Sequence, residues 1–78
     1  MDKYKLEYFI KSNGYEIKSF FETLEMSKSA FYRKCNGKSE FTRDEISKIA
    51  KILHLTGKDI LEIFFAFAVS QKTQTIGN

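Results

Sequence analysis

The spacing of apolar and polar positions predicts α-helices along almost the whole chain. Five segments carry apolar residues three and four positions apart, the spacing that places side chains on one face of a helix. The sequence has no proline and only four glycines, so little in it would interrupt a helix. The predicted apolar faces are Leu6, Phe9 and Ile10; Ile17, Phe20, Phe21 and Leu24; Ala30, Phe31 and Cys35; Ile46, Ile49, Ala50 and Leu53; and Ile60, Leu61, Phe64 and Phe65. We therefore predict an all-α fold, a compact domain of five helices.

The boundaries of these helices follow from residues that favour helix ends. The predicted stops are Asn13-Gly14 and Asn36-Gly37, and the predicted N-caps are Ser27, Thr42 and Thr56. Thr42 is followed three residues later by Glu45, which is the pattern of a capping box. Within residues 17–36, two short helices are joined by a tight turn. That arrangement predicts a helix-turn-helix motif.

The apolar run at residues 63–69 is open to two structural interpretations. With a period of 3.6 it continues the fifth helix, and with a period of two it is a strand with Phe65, Phe67 and Val69 on one side. We favour a helix through about Phe67, with Phe64 turned towards the core. The run either covers a small core or forms a homodimer interface, and we favour the interface, through Phe65, Phe67 and Val69.

Length and composition limit the chain to one small domain. A chain of 78 residues with 42% hydrophobic content has room for one core, which we place in residues 1–69, followed by a flexible polar tail at 70–78. The single cysteine, Cys35, excludes an intrachain disulfide and a cysteine-based zinc site. The apolar run at 63–69 is far shorter than the ~18 residues that a membrane span needs. We expect a cytoplasmic protein with no secretion signal and no membrane association.

Positive charge is concentrated in one short part of the chain. Residues 27–43 hold five basic residues and one acid, Glu40, whereas the rest holds eight basic and nine acidic residues. The basic residues of the segment are Lys28, Arg33, Lys34, Lys38 and Arg43. A localised basic patch is typical of a phosphate-binding surface, although many such patches are ordinary solvated faces.

The third helix carries the side chains that best suit DNA. Opposite its apolar strip, helical geometry gathers Lys28, Ser29, Tyr32, Arg33 and Asn36 on one surface. Nine helical residues span roughly 13 Å, close to the ~12 Å width of the major groove. Arginine can bind guanine and asparagine adenine through paired hydrogen bonds. Tyr32 contacts the groove or packs half-exposed; we favour the groove.

Residues on either side of this helix are suited to the sugar-phosphate backbone. Ser27 begins the helix, where free backbone N–H groups can meet a phosphate. Lys38 and Arg43 follow the helix and can anchor the DNA backbone.

The segment at residues 27–38, SKSAFYRKCNGK, resembles the recognition helix and following loop of phage repressor and Cro-type (XRE-type) helix-turn-helix proteins. Residues 40–46 and 63–65 resemble a small-protein branch found in temperate phages of Gram-positive bacteria. The resemblance covers roughly residues 5–66. It implies a lambda-repressor-like fold, binding of a double-stranded DNA operator as a homodimer, and transcriptional regulation in the bacterial cytoplasm.

The resemblance also implies roles for individual residues. It implies that Lys28, Ser29 and Arg33 read bases. It also implies that Tyr32, Asn36 and Lys38 contact phosphates or the edge of the groove. This chain departs from the family pattern at three positions. Glu25 stands where a turn glycine is usual, which predicts a left-handed backbone at a non-glycine residue. Phe21 replaces a small residue between the second and third helices, and Cys35 replaces a common leucine.

Nothing in the sequence points to catalysis. It contains no paired carboxylates, metal-ligand cluster or phosphate-binding loop, and the lone His54 fits a structural position at the end of the fourth helix. We therefore expect no enzyme activity, no cofactor or metal, and no small-molecule substrate. The alternative function is a protein-interaction module on the same scaffold, such as an antirepressor or antitoxin.

Overall fold

A computed structural model of the chain describes residues 1–66, and in that part of the chain the predicted all-helical architecture is confirmed. Phe67, Val69 and the predicted tail at 70–78 lie outside the described residues. The helices are α1 (Lys3–Ser12), α2 (Phe20–Thr23), α3 (Lys28–Cys35), α4 (Arg43–Leu53) and α5 (Gly57–Phe64), with a 3₁₀ turn at Ile17–Ser19. No helix within this range is long and apolar enough to cross a membrane.

All five helices contribute to one core. The buried side chains are Leu6, Ile10, Phe20, Leu24, Phe31, Cys35, Phe41, Ile49, Leu53 and Ile63. Four phenylalanine rings run through this core in edge-to-face contacts: Phe20 meets Phe31 at 6.2 Å, Phe31 meets Phe41 at 6.2 Å, and Phe41 meets Phe64 at 5.5 Å. Such contacts stabilise aromatic pairs beyond the burial of their area. They fix α3 against α2 on one side and against the α4 and α5 region on the other.

The second helix is shorter than its apolar spacing predicts. Instead of one regular helix through residues 17–24, the chain forms the 3₁₀ turn Ile17–Ser19 and then the single turn of α2. The backbone at Ser19, with φ −124° and ψ 1°, leaves the helical region between the two. Phe20 and Leu24 still point into the core. The apolar face therefore survives although the helix is broken.

The predicted caps are present at three helix starts. The Ala30 N–H donates to Ser27 Oγ at 3.1 Å. The predicted capping box is also found, since Thr42 and Glu45 exchange side-chain and backbone hydrogen bonds. Thr56 forms an equivalent box with Asp59 at the start of α5.

Helix α5 ends at Phe64, earlier than the predicted end near Phe67. The Ile63 carbonyl accepts from the Asp2 N–H at 2.7 Å, and Phe65 takes a non-helical φ of −124°. Phe64 turns inward onto Phe41 as predicted, while Phe65 stays 46% exposed.

Candidate nucleic-acid interface

Helix α3 presents one buried face and one open face. Phe31 and Cys35 are 1% and 8% exposed, so they fix the inward side of the helix. Ser29 and Arg33, one helical turn apart, lie opposite them and are exposed. Lys28 and Asn36 at the two ends of the helix are also exposed. The side chains predicted to read bases therefore point away from the protein.

Tyr32 differs from its neighbours on this face because it is half-buried. Its ring meets the Phe31 ring edge-on at 5.6 Å, and it lines a small cleft together with Lys3 and Leu6 of α1. The Tyr32 ring is thus packed half-exposed against the protein, and its contact with the groove stays a prediction. Any contact of Tyr32 with DNA would come from the exposed part of the ring.

The turn before α3 has a strained backbone that α4 supports. Glu25 adopts φ +58°, which confirms the left-handed conformation expected from its departure from glycine. Lys48 Nζ of α4 donates to the Leu24 carbonyl at 3.3 Å and to Glu25 Oε2 at 3.0 Å. The two contacts bind the turn to α4, which helps to set the angle at which α3 leaves α2.

The segment after α3 holds Lys38 close to the end of the helix. The Lys38 N–H donates to the Arg33 carbonyl at 2.9 Å, and the Gly37 N–H donates to the Lys34 carbonyl at 3.2 Å. This pair of bonds is a Schellman motif, which needs a left-handed residue, and Gly37 supplies it at φ +80°. Lys38 is exposed, as is Arg43 at the first position of α4. Lys38 is thus held at the C-terminal end of α3, and Arg43 follows it in the sequence at the start of α4.

One of the five basic residues in the segment is engaged within the protein. Lys34 has a side chain only 16% exposed, pairs with Glu45 of α4, and lies with Nζ 5.9 Å from the centre of the Phe41 ring. The remaining four bases, Lys28, Arg33, Lys38 and Arg43, take part in none of the three ion pairs among residues 1–66. The basic surface is therefore smaller by one charge than the sequence indicates.

The Glu45 carboxylate caps the start of α4 and also pairs with Lys34 of α3. Partial burial acts to raise the pKa of its carboxyl, but hydrogen bonds from Lys34 Nζ and from the Thr42 N–H outweigh this effect. The pKa of Glu45 is consequently held below its ordinary value of 4.5. The carboxylate is ionised at neutral pH and fixes Lys34 in the interior.

Lys3 belongs beside this surface although sequence reasoning did not single it out. Its Nζ lies 3.4 Å from Oδ1 of Asn36 at the end of α3. The two residues are 33 positions apart, and no local motif marks Lys3. Only the packing of α1 against α3 brings it there, so no signal in the sequence could have identified it.

The Cys35 thiol, the remaining candidate for reactivity, is buried and unreactive. Burial raises the pKa of the Cys35 thiol to about 11, which keeps it protonated in the core, as expected for a buried thiol. Within residues 1–66, no three His, Cys, Asp or Glu side chains are grouped so that they could hold a metal ion. The open face of α3, with the exposed bases in and after the helix, is the surface that stands out.

Comparison with known proteins agrees with this geometry. The family model of the Cro/C1-type HTH DNA-binding domain matches residues 5–65, which run from the third residue of α1 to just beyond the end of α5. No curated protein and no solved structure matches the chain. The helix-turn-helix, the outward polar face of α3 and the family match lead to one conclusion: this chain belongs to the family of Cro/C1-type HTH DNA-binding domains.

Proposed function

We propose that this DNA-binding protein is a sequence-specific transcriptional regulator, a repressor or Cro-like protein of a phage or prophage, that inserts α3 into the major groove of its operator. The observation that carries the proposal is the exposed pair Ser29 and Arg33 on the side of α3 opposite its buried residues. The eight residues of α3 span about 12 Å, which matches the ~12 Å width of the groove.

Base reading is assigned to Lys28, Ser29 and Arg33. Arg33 is the strongest candidate because its guanidinium can donate two parallel hydrogen bonds to O6 and N7 of guanine. The Arg33 carbonyl is held by the Lys38 N–H, so the backbone beneath this side chain is fixed. A fixed backbone lowers the entropy that the side chain loses when it binds.

Phosphate contacts are assigned to the residues that surround α3. Lys38 and Arg43 supply charge, the helix start at Ser27 supplies backbone N–H groups, and Asn36 and Tyr32 lie at the edge of the surface. These contacts would set orientation and affinity without reading sequence.

A homodimer is proposed through the C-terminal apolar residues Phe65, Phe67 and Val69. Phe65 is 46% exposed, and in the sequence it begins the apolar stretch that continues to Val69. A two-fold dimer would read two half-sites about 34–36 Å apart, one turn of the duplex. Such a protein would act in the host cytoplasm, where its operator is.

The test is selection of bound duplexes from random DNA, followed by gel-shift titration of the enriched site. Arg33→Ala should weaken cognate binding by about 1–3 kcal/mol and relax preference at one base pair, because it removes a paired contact. Lys51→Ala is the matched control, since Lys51 is exposed on α4 about 12 Å beyond Arg43. Equal losses on cognate and random DNA would refute base reading by Arg33. Failure to enrich any site would favour the interaction module instead.

A further inference from the structure

The first residue of α1 lies at the C-terminal end of the DNA-facing helix. Lys3 Nζ donates to Asn36 Oδ1 at 3.4 Å, and Asn36 is the C-cap of α3. Lys3 takes part in none of the three ion pairs among residues 1–66. Glu7, one turn further along α1, lines the same small cleft as Lys3 but does not pair with it. The ammonium group of Lys3 therefore keeps its charge beside the end of α3.

We propose that Lys3 and Asn36 together bind one backbone phosphate of the DNA, so that α1 takes part in the interface beside α3. The inference rests on the proposed function, which places α3 in the major groove. It adds a contact from a helix outside the helix-turn-helix. The phosphate would lie at the C-terminal end of α3, where the Lys38 N–H is bonded to the Arg33 carbonyl.

Hydrogen-bonding capacity decides how the Asn36 amide is presented to DNA. A lysine side chain has three N–H donors and no acceptor, so it can face only the oxygen of an amide. Asn36 Oδ1 is therefore turned towards Lys3, and the Nδ2–H donors lie on the side of the amide away from it. A phosphate oxygen can accept from an ammonium and from an amide donor. Paired recognition of adenine needs the amide oxygen as well, so this orientation favours a phosphate.

The end of α3 needs added positive charge if a phosphate is to approach it. The last carbonyls of a helix together carry about half a negative charge, which would repel a phosphate. Lys38 follows directly in the chain and supplies one exposed cation. Lys3 supplies a second from another helix. Two cations from separate elements thus offset the negative end of α3.

The start of α1 is tied to the rest of the protein, which gives Lys3 a defined place. The Asp2 N–H donates to the Ile63 carbonyl at 2.7 Å, and the Asp2 carboxylate caps α1 by accepting from the Lys5 N–H at 3.0 Å. The Lys5 side chain in turn pairs with Glu62 of α5. Because the backbone beneath Lys3 is ordered before DNA arrives, binding has to order little more than the lysine side chain.

Salt dependence tests the contact on DNA of any sequence. In gel-shift titrations of the full-length chain with random duplex, Lys3→Met should lower the affinity about eightfold near 0.1 M salt. It should also reduce the slope of log affinity against log salt by about 0.9, because one phosphate is no longer neutralised. Lys3→Arg keeps the charge and should keep both values. Lys11→Met is the matched control and should change neither, since Lys11 is exposed on the same helix about 12 Å from Lys3.

An unchanged salt slope in Lys3→Met, or an equal reduction in Lys11→Met, would overturn the proposal. Urea denaturation separates the DNA contact from a structural role. The denaturation midpoint of Lys3→Met should stay unchanged, because the contact with Asn36 is exposed and long. A lower midpoint, together with an affinity loss that is the same at every salt concentration, would show that Lys3 only stabilises the end of α3.

Neutral methylphosphonate groups, placed one at a time along a selected duplex, locate the phosphate. One such group should weaken binding by the wild-type chain and have little effect on Lys3→Met and on Asn36→Ala, while Lys11→Met keeps the full effect. Sensitivity of the two variants at different phosphates would refute the shared contact. An operator bound with the same salt slope by wild type and Lys3→Met would leave groove recognition standing and refute only the role of Lys3. A chain that binds no duplex at all would refute both.

Discussion

Among residues 1–66, two residues other than glycine hold a left-handed backbone, and both lie at helix junctions. Glu25 adopts φ +58° in the turn before α3, and His54 adopts φ +55° at the end of α4. This conformation is costly for an L-residue because its Cβ approaches the carbonyl oxygen. At His54 the conformation lets the Leu55 N–H reach the Ala50 carbonyl at 2.9 Å, which closes the end of α4. The strain at His54 therefore serves a helix end, and glycine would serve it without that strain.

His54→Gly should stabilise the fold by about 0.5–1 kcal/mol, since glycine adopts the left-handed region without steric cost. Urea denaturation measures the change. Lys51→Gly is the matched control, because Lys51 is exposed on the same helix in right-handed conformation and glycine there should cost about 1 kcal/mol. Two losses of similar size would mean that the backbone at His54 is not strained.

Helix α3 is held at both ends and along one side. Ser27 caps its start, Gly37 closes its end, and Lys34 joins it to Glu45 of α4. Because Glu45 also caps α4, one carboxylate sets the start of α4 and its link to α3. The orientation of the open face of α3 depends on this link as well as on the apolar packing beneath it.

Glu45→Gln should measure how much the Lys34–Glu45 ion pair contributes to stability, because glutamine can keep the capping box while losing the ion pair. We expect a loss of about 0.5–1 kcal/mol at pH 7, the value for a partly exposed pair. The pKa of Glu45 is lowered by folding, so its contribution is present above the ordinary value of 4.5 and disappears as pH falls through the lower folded pKa.

Denaturation of both proteins between pH 2 and 7 checks this expectation. The stability curves should converge at the acid end, where Glu45 is protonated. A difference that stays constant with pH would show that the substitution acts through packing or capping instead of charge.

Local signals explain which elements the sequence could predict. Ser27, Thr42 and Thr56 each cap a helix through residues three positions away, so the starts of α3, α4 and α5 follow from short patterns. Apolar spacing cannot separate a 3₁₀ turn from an α-helix, so it does not predict the break at Ser19. The Ile63 carbonyl near the end of α5 accepts from Asp2, which is distant in sequence. The contact of Lys3 with Asn36 and the pairing of Lys34 with Glu45 also depend on tertiary packing, which short sequence patterns do not encode.

In the whole molecule, the first turn of α1 joins the DNA-facing helix to the C-terminal helix. Lys3 reaches Asn36 at the end of α3, while the Asp2 N–H and the Lys5 side chain contact Ile63 and Glu62 of α5. The start of α1 therefore connects the end of α3 with α5, which lines an apolar groove between α4 and α5. Lys3 adds its charge to the exposed bases in and after α3, whereas Lys34 is paired with Glu45.

Lys38→Ala should weaken binding to every duplex alike and reduce the slope of log affinity against log salt by about 0.9 for each phosphate that the protein no longer neutralises. Gel-shift titrations at several salt concentrations, with cognate and random DNA, measure both effects. Lys51→Ala again supplies the control for removal of a lysine elsewhere. A change in base preference with an unchanged salt slope would show that Lys38 reads bases and does not anchor the DNA backbone.

The tie between the first residues and α5 has a practical consequence for anyone handling this protein. Met1 lines the apolar groove between the start of α4, α5 and the loop before α4, and the Asp2 N–H is bonded to the Ile63 carbonyl. An affinity tag fused ahead of Met1 would begin at the wall of the groove, with its linker free to lie across the apolar floor. Such a tag would compete with any molecule that binds this apolar surface, so it should be cleaved before binding or molecular weight is measured.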